Sequence, residues 1–258
     1  NAILDRIIDG TYKLCDSRIS KVKTKYYLLV TYQFEKEKVT LDRSRVMGVD
    51  LGIVNPAYMA FNFDEYLRYN IEGSEIISFR QRVEARRNAL LRQSKYAGKG
   101  RRGRGRKALL KPIEKLRDKV TNFRRTTNHK YSKYIVDMAE KHGCGIVQLE
   151  DLSGISDRDT FLKQWSYYEL QQFIEYKAKE RGIEVKYVNP EYTSQRCSSC
   201  GHIAEGNRVK QAEFKCTLCG YKTNADFNAA RNIALPDIEE RIKDEMKRKE
   251  HERRLATA

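Results

Sequence analysis

Four cysteines in the last quarter of the chain restrict the possible folds more than any other feature. They form two Cys-x-x-Cys pairs, Cys197/Cys200 and Cys216/Cys219, with 15 residues between the pairs. A spacer of this length can fold back and bring four thiolates together as a tetrahedron around one metal ion. A glycine follows each pair, and glycine adopts the positive φ that such a turn needs at no steric cost. We therefore predict one structural Zn²⁺ bound by these four cysteines.

Disulfide bonds or ordinary buried thiols could also account for the cysteine pattern. The N-terminus has no feature of a signal peptide, and disulfide bonds are rare in the reducing cytosol, so the sequence favours zinc and a cytoplasmic location. Cys15 and Cys144 have no partner at ligand spacing and are expected to be small apolar residues of the core. No apolar run approaches the ~20 residues of a membrane-spanning helix, so we expect no membrane partner.

The positive charge of the chain is concentrated in one stretch. The net charge is +16, and residues 80–125 contain 18 lysines and arginines against three acids. Within this stretch, KYAGKGRRGRGRK at 95–107 has too much glycine for a regular element, so we predict a mobile loop between two helices. A solvated surface usually mixes charge signs, whereas a run of one sign favours a polyanionic partner. The candidate nucleic-acid contacts are Arg101, Arg102, Arg104, Arg106 and Lys107, together with Arg196 beside the first cysteine pair.

Apolar strand-like segments and longer helical segments alternate along the chain. After alternating segments in the first 45 residues, the strand candidates are VMGVDLG (46–52), PAYMAFNF (56–63), SEIISF (74–79), GIVQLED (145–151) and GIEVKYVNP (182–190). Long helices are predicted at about 79–96 and 108–142, with further helices after the fourth strand and after the cysteines. Three antiparallel strands followed by parallel strands with helical crossovers is the order of an RNase H-like sheet, so the predicted fold class is α/β with a mixed sheet. The tail at 237–258 has seven acids and seven bases, which predicts a polar helix without a core face.

Three carboxylates lie at the ends of predicted elements. Asp50 ends the first of these strands, Glu150 ends the fourth, and Asp226 opens the last helix in NADFNAARNIA. Ligands commonly bind at the carboxyl edge of an α/β sheet, and a charge at the end of an apolar run is unfavourable without a partner. Carboxylates that converge at this edge would repel one another unless cations lie between them. We therefore expect two Mg²⁺ ions, about 3.5–4 Å apart, in a site for phosphodiester hydrolysis.

Each of these carboxylates could also have an ordinary structural role. Asp50 could cap a turn, Glu150 could face solvent, and Asp226 could be the N-cap of its helix. Asp151 competes with the adjacent Glu150 for the same role, and spacing alone does not decide between them.

The motifs VMGVDLG, VQLEDLSGI and TSQRCSSCG…CTLCGYKTNADFNAARNIA resemble the three split RuvC nuclease motifs, with their inserted zinc ribbon, of the compact type V-F CRISPR effectors and their transposon-encoded TnpB relatives. The resemblance covers nearly the whole chain and implies an Asp-Glu-Asp triad at Asp50, Glu150 and Asp226, which selects Glu150 over Asp151. It also implies guide RNA and target DNA as partners, cleavage of both DNA strands, and two protein copies on one RNA in a full-length, prokaryotic protein.

The resemblance also predicts how the chain divides into domains. The expected parts are the end of a β-rich wedge-like module (1–45), a RuvC-like core (46–190) with a basic helical insertion (79–142), a zinc ribbon (191–223), the final RuvC motif helix (224–235) and a charged tail (236–258). Family members carry an N-terminal half that reads the protospacer-adjacent motif, and only the end of a wedge-like module is recognisable here.

From the residues and the resemblance together, we expect the nuclease portion of an RNA-guided, Mg²⁺-dependent DNA endonuclease. One alternative is a TnpB-type nuclease that is guided by transposon RNA. The other is a catalytically silent scaffold that binds nucleic acid through the zinc ribbon and the basic loop.

Overall fold

The computed structural model describes residues 2–22, 24–35, 40–52, 54–95, 106–152 and 167–256. The chain divides into two compact units, residues 1–39 and 40–258. Across these described segments, no helix is both long enough and apolar enough to cross a membrane.

The described residues of the first unit form one short helix and two small antiparallel sheets. The elements are α1 (Ala2–Ile8), β1 (Lys13–Leu14), β2 (Arg18–Val22), β3 (Lys25–Leu29) and β4 (Tyr32–Gln33). Strand β1 pairs with β4, and β2 forms a hairpin with β3. The strands agree with the alternating pattern of this region, whereas the helix at its start was not predicted.

The second unit is built on a mixed sheet that has five strands in the described residues. Its strands are β5 (Asp42–Asp50), β6 (Ala57–Phe61), β7 (Arg68–Ile71), β8 (Cys144–Glu150) and β9 (Glu184–Val188). They lie in the order β7-β6-β5-β8-β9, with β6 antiparallel to both β7 and β5, and β8 parallel to both β5 and β9. The predicted order of three antiparallel strands followed by parallel strands is therefore confirmed, although the third strand is not the segment that was predicted.

Five helices of the described segments accompany this sheet. They are α2 (Ser74–Lys95), α3 (Arg106–Lys141), α4 (Tyr167–Glu180), α5 (Ala225–Ile233) and α6 (Ile238–Ala256). Successive residues of a strand point to opposite faces of the sheet, so Met47 and Val49 share one face of β5. These two residues are fully buried and belong to one apolar cluster with Ile135 of α3 and Leu170 of α4. The main core therefore lies between this face of the sheet and the long helices.

The opposite face of the sheet packs directly against helix α5. At Gly48 of β5, a Cβ atom would lie 2.3 Å from the carbonyl oxygen of Ala230 and 2.3 Å from the backbone nitrogen of Ala234. Only glycine fits between the two backbones at this distance, so Gly48 sets how closely α5 approaches the sheet.

Two predictions about individual elements are wrong. Residues 74–79, predicted as a strand, form the first turns of α2, and the third strand is Arg68–Ile71. Ile76 and Phe79 are both buried, a spacing of three that suits a helix.

The tail helix α6 does have a core face, because Ile238 and Ile242 are buried and Met246 packs in the same cluster. This apolar stripe at i, i+4 and i+8 is narrow and is masked in the sequence by charged neighbours.

Candidate active site and metal centre

The four paired cysteines come together in the segment between β9 and α5. Their sulfur atoms all lie within 4.8 Å of one another. Cys197 Sγ lies 3.8 Å from Cys219 Sγ, and Cys200 Sγ lies 3.6 Å from Cys216 Sγ. Zn–S bonds of about 2.3 Å in a tetrahedron would place the sulfurs about 3.8 Å apart, whereas a disulfide needs about 2.05 Å. The cluster can therefore hold one metal ion, and these distances do not fit disulfide bonds.

The two Cys-x-x-Cys turns share one backbone geometry. Gly201 and Gly220 have φ values of 84° and 74°, which confirms the left-handed conformation predicted for them. The N–H of Gly201 donates to the carbonyl oxygen of Cys197 at 2.9 Å, and the N–H of Gly220 donates to that of Cys216 at 3.1 Å. A short hairpin of β10 (Glu213–Lys215) and β11 (Lys222–Asn224) carries the second turn.

A buried asparagine connects the two turns. Asn207 is fully buried, and its Nδ2 donates to the carbonyl oxygens of Gln195 at 2.9 Å and His202 at 3.1 Å. Its Oδ1 accepts the backbone N–H of Thr217 at 2.8 Å. Buried polar groups that are fully paired in this way hold their surroundings in a single arrangement.

Two further buried asparagines attach α5 to the first cysteine turn. Asn228 Oδ1 accepts the N–H of Ser198 at 2.9 Å, and Asn228 Nδ2 donates to the Arg196 carbonyl at 2.7 Å. Asn232 Oδ1 accepts from Arg196 Nη1 at 2.8 Å. The Arg196 side chain therefore points inward, with 7% of the residue exposed, which speaks against the predicted nucleic-acid contact at Arg196. Its guanidinium instead joins the cysteine segment to α5.

The three predicted carboxylates converge on the α5 side of the sheet. Asp50 is the last residue of β5, and Glu150 is the last residue of the parallel strand β8. Because Val49 pairs with Leu149, Asp50 and Glu150 lie side by side and point to the same face. Asp226 lies in the first turn of α5, which covers that face beside Gly48.

Two of the alternatives considered for the acids, Asp226 as a helix N-cap and Asp151 in place of Glu150, do not fit the structure. The N-cap of α5 is Asn224, whose Oδ1 accepts the N–H of Phe227 at 3.0 Å, so Asp226 does not cap the helix. Asp151 is exposed, and as the neighbour of Glu150 it follows the end of the strand. Glu150 lies beside Asp50 and Asp151 does not, in agreement with the choice that the resemblance implies.

The electrostatics of the three acids reflect burial and mutual repulsion. Burial, and then the charges of Glu150 and Asp226, raise the pKa of Asp50 well above its ordinary value. Burial also raises the pKa of Glu150, although a hydrogen bond from the Thr193 hydroxyl partly offsets the effect. The carboxyl groups therefore cannot all ionise without strong mutual repulsion. Bound cations would relieve this repulsion.

Three polar neighbours of the acids were not predicted. Asn55 Nδ2 donates to Asp226 Oδ2 at 2.8 Å, and Thr193 donates to Glu150. Arg208 Nη2 lies 3.9 Å from Asp226 Oδ1, and its charge lowers the pKa of both Asp50 and Glu150. Asn55 lies three residues after the VMGVDLG motif that contains Asp50 and could have been suspected. Nothing in the sequence indicates Arg208, because its contact depends on how the loop between the cysteine pairs folds back.

The predicted basic contacts lie largely beyond the described structure. Arg101, Arg102 and Arg104 lie outside the described residues, and Arg106 and Lys107 begin α3 with side chains that are likewise not described. Their role in binding nucleic acid stays a prediction.

Known proteins resemble this chain over most of its length. A family model for the Cas12f1-like TNB domain matches residues 167–233. A CRISPR-associated endodeoxyribonuclease Cas12f1 of Sulfoacidibacillus thermotolerans is 54% identical over 248 residues, which are 95% of this chain and 58% of that protein. Cas12f1 of Syntrophomonas palmitatica is 45% identical, over 84% of this chain and 50% of that protein. The chain thus spans between a half and three fifths of the length of these relatives.

Solved structures and a second group of relatives agree with this relationship. A cryo-EM structure of a Cas12f1-sgRNA-target DNA complex matches with a TM-score of 0.73 and 32% identity, over 92% of this chain and 48% of that one. The TnpB-like protein aq_aa05 of Aquifex aeolicus is 30% identical, over 86% of this chain and 78% of that protein. The chain therefore belongs to the Cas12f family of compact type V-F CRISPR-associated effectors, which is related in sequence to the TnpB-like proteins.

Proposed function

We propose that this chain is the RuvC portion of an RNA-guided DNA endonuclease, with an RNase H-like fold. The observation that carries the proposal is the convergence of Asp50, Glu150 and Asp226 on one face and at one edge of the sheet. The strand order and the position of α5 support the fold assignment. The relatives are named as endodeoxyribonucleases, and the solved relative contains sgRNA and target DNA.

The three carboxylates would hold two Mg²⁺ ions. They offer only oxygen ligands, which Mg²⁺ prefers, and their repulsion raises the pKa of Asp50. When bound, such a pair of ions promotes attack of water on a phosphodiester and stabilises the leaving oxygen. Asn55 orients the Asp226 carboxylate and Thr193 that of Glu150 through their hydrogen bonds. Arg208 supplies positive charge beside Asp226, where it can face a phosphate of the substrate.

The cysteine cluster would hold one Zn²⁺ in the inserted zinc ribbon. Four thiolates close a tetrahedral site and leave no position for a substrate, so the ion is structural. The ribbon carries Arg208 and is joined to α5 through Asn228 and Asn232. A structural ion in the ribbon therefore supports the position of Arg208 and of the helix that carries Asp226.

Guide RNA and target DNA are the proposed partners, and RNA pairing supplies the sequence choice. In the full-length protein, two copies would assemble on one RNA. Identity of 54% to a Cas12f1 protein, against 30% to a TnpB-like protein, favours a CRISPR system over a transposon-guided nuclease. The complete set of three converging carboxylates disfavours a silent scaffold.

Replacement of Asp226 by Ala tests the nuclease centre. We expect Mg²⁺-dependent cleavage of single-stranded DNA to fall by at least about 10³-fold, while DNA binding changes by less than about 2-fold, because the basic surface stays intact. Asp151→Ala removes a neighbouring exposed acid and should cleave as the wild type does. Wild-type cleavage by the Asp226→Ala protein would show that the assignment is wrong.

Thermal unfolding provides a measure of metal binding that is independent of cleavage. Mg²⁺ should raise the unfolding midpoint of the wild-type chain and have little effect on Asp50→Asn. In EDTA, Asp50→Asn should unfold at a higher temperature than the wild type, because it removes a buried charge that Glu150 and Asp226 repel. Equal Mg²⁺ stabilisation of both proteins would contradict the proposed metal site.

A further inference from the structure

The row of side chains that contains the carboxylates continues towards the edge strand β7. Asp50 pairs with Tyr58 of β6, and Tyr58 pairs with Asn70 of β7. Two pairs further along, Ala60 of β6 faces Arg68 of β7, and residues two apart on a strand share a face. Arg68 therefore lies on the same face of the sheet as Asp50, on the side away from Glu150.

The guanidinium group of Arg68 is held over an aromatic ring. Its carbon atom Cζ lies 5.0 Å from the centroid of the Phe227 ring. Phe227 is buried, and its ring centroid lies 6.0 Å from that of Tyr58. Because Phe227 directly follows Asp226, the ring that orients Arg68 belongs to the same helical turn as one of the carboxylates.

The charge of Arg68 is available to a ligand. Arg68 is exposed, and no carboxylate among the described residues lies within ion-pair distance of it, whereas Arg208 pairs with Asp226. Burial raises the pKa of Tyr58, and the charges of Arg68 and Asp226 then act on that pKa in opposite directions. The Tyr58 hydroxyl is therefore within electrostatic range of both side chains.

We infer that Arg68 binds a phosphate of the DNA strand next to the cleaved phosphodiester, on the β7 side of the carboxylates. An arginine without a carboxylate partner keeps its planar set of donors for two phosphate oxygens. Stacking over Phe227 orients those donors before the strand arrives. The inference rests on the proposed function and adds to it a substrate contact provided by the sheet edge.

Cleavage of DNA with single neutral linkages tests this inference. A methylphosphonate is moved one position at a time along a single-stranded substrate, and product length identifies the cleaved bond. We expect Arg68→Ala to reduce kcat/KM about 10-fold, mainly through KM. At one position on one side of the cleaved bond, the neutral linkage should lower kcat/KM of the wild type by a similar factor. At the same position it should not lower kcat/KM of Arg68→Ala any further. Equal losses for both proteins at every position would overturn the inference.

Two further variants separate the contact from general effects. Arg45 also lies over an aromatic ring, with Cζ 4.9 Å from the centroid of Phe63, but it lies five residues before Asp50 on β5. Arg45→Ala should therefore cleave as the wild type does, and a loss equal to that of Arg68→Ala would overturn the inference. Arg68→Lys keeps the charge without the planar donors and should recover only part of the loss.

A binding measurement distinguishes failure of the inference from failure of the proposed nuclease. In the Asp50→Ala background, Arg68→Ala should reduce the slope of log K against log salt for single-stranded DNA by about 0.7, the value of one phosphate contact. If the wild type shows no Mg²⁺-dependent cleavage, the proposed function fails and this slope alone decides the phosphate contact. An unchanged slope would overturn the inference whether or not the chain cleaves DNA.

Discussion

Gly48 determines how two carboxylates from distant parts of the chain meet. It lies two residues before Asp50 on β5, and the backbone of α5 approaches it at Ala230 and Ala234. Helix α5 carries Asp226 in its first turn, so the distance between strand and helix also sets the distance between the two acids. A residue without a side chain therefore controls the geometry of the candidate active site.

Gly48→Ala should move α5 away from the sheet. The new Cβ would meet backbone atoms at 2.3 Å, and neither backbone can rotate away as a side chain can. We expect a loss of about 3 kcal/mol in the free energy of unfolding, measured by urea denaturation, and at least about 10-fold slower cleavage. The matched control is Gly206→Ala, whose Cβ would lie 3.5 Å from Thr217 Cγ2 and should cost less than about 0.5 kcal/mol. Wild-type stability and cleavage in Gly48→Ala would contradict this account.

The cysteine segment and α5 act as one element of the structure. Buried asparagines join the two cysteine turns to each other and join the first turn to α5. The loop between the cysteine pairs supplies Arg208, and the helix after them supplies Asp226, so both partners of that ion pair depend on the segment. A metal ion held by the cysteines at one end of this element would therefore be coupled to the carboxylates at the other.

Cys216→Ser should lose most of the single metal ion per chain, as measured by elemental analysis. Because binding and folding of such a site are linked, the unfolding midpoint should also fall. Cleavage should decrease as well, since Arg208 and Asp226 lose their support. Cys15→Ser changes a cysteine outside the cluster and should retain the metal. A Cys216→Ser protein with one metal per chain and an unchanged midpoint would show that the cluster is not the metal site.

The distribution of charge over the chain separates two kinds of basic surface. Residues 80–125 carry 18 bases against three acids, whereas the bases of α6 are balanced by acids and form ion pairs along the helix. Paired charges release few counterions on binding DNA, and an unbalanced stretch releases many.

Changing Arg101, Arg102, Arg104 and Arg106 together to Ala should weaken DNA and RNA binding and reduce its salt dependence. Each lost phosphate contact should lower the slope of log K against log salt by roughly 0.7 to 0.9. The matched control replaces four ion-paired bases of α6, Arg241, Lys247, Arg248 and Arg254, and should leave the slope nearly unchanged. An unchanged slope in the first variant would identify the stretch as a solvated linker.

Features whose signal is local could be predicted before the fold was known. The two cysteine pairs, the glycines after them and the strand order all follow from spacing and alternation within short segments. The positions of Asp50 and Asp226 at element ends could be predicted in the same way, whereas the choice of Glu150 over Asp151 came from the family resemblance.

Features that depend on contacts between distant segments emerged only in the folded chain. In the sequence, Arg196 has the character of a surface base, but in the structure its guanidinium is buried and donates a hydrogen bond to Asn232 of α5. Arg208 reaches Asp226 only because its loop folds back, and α6 acquires a core face only because Ile238 and Ile242 join a buried cluster that includes Ile233 of α5. The burial of a side chain and its partners depend on which distant segments pack against it in the folded chain. Local sequence propensity does not specify those contacts.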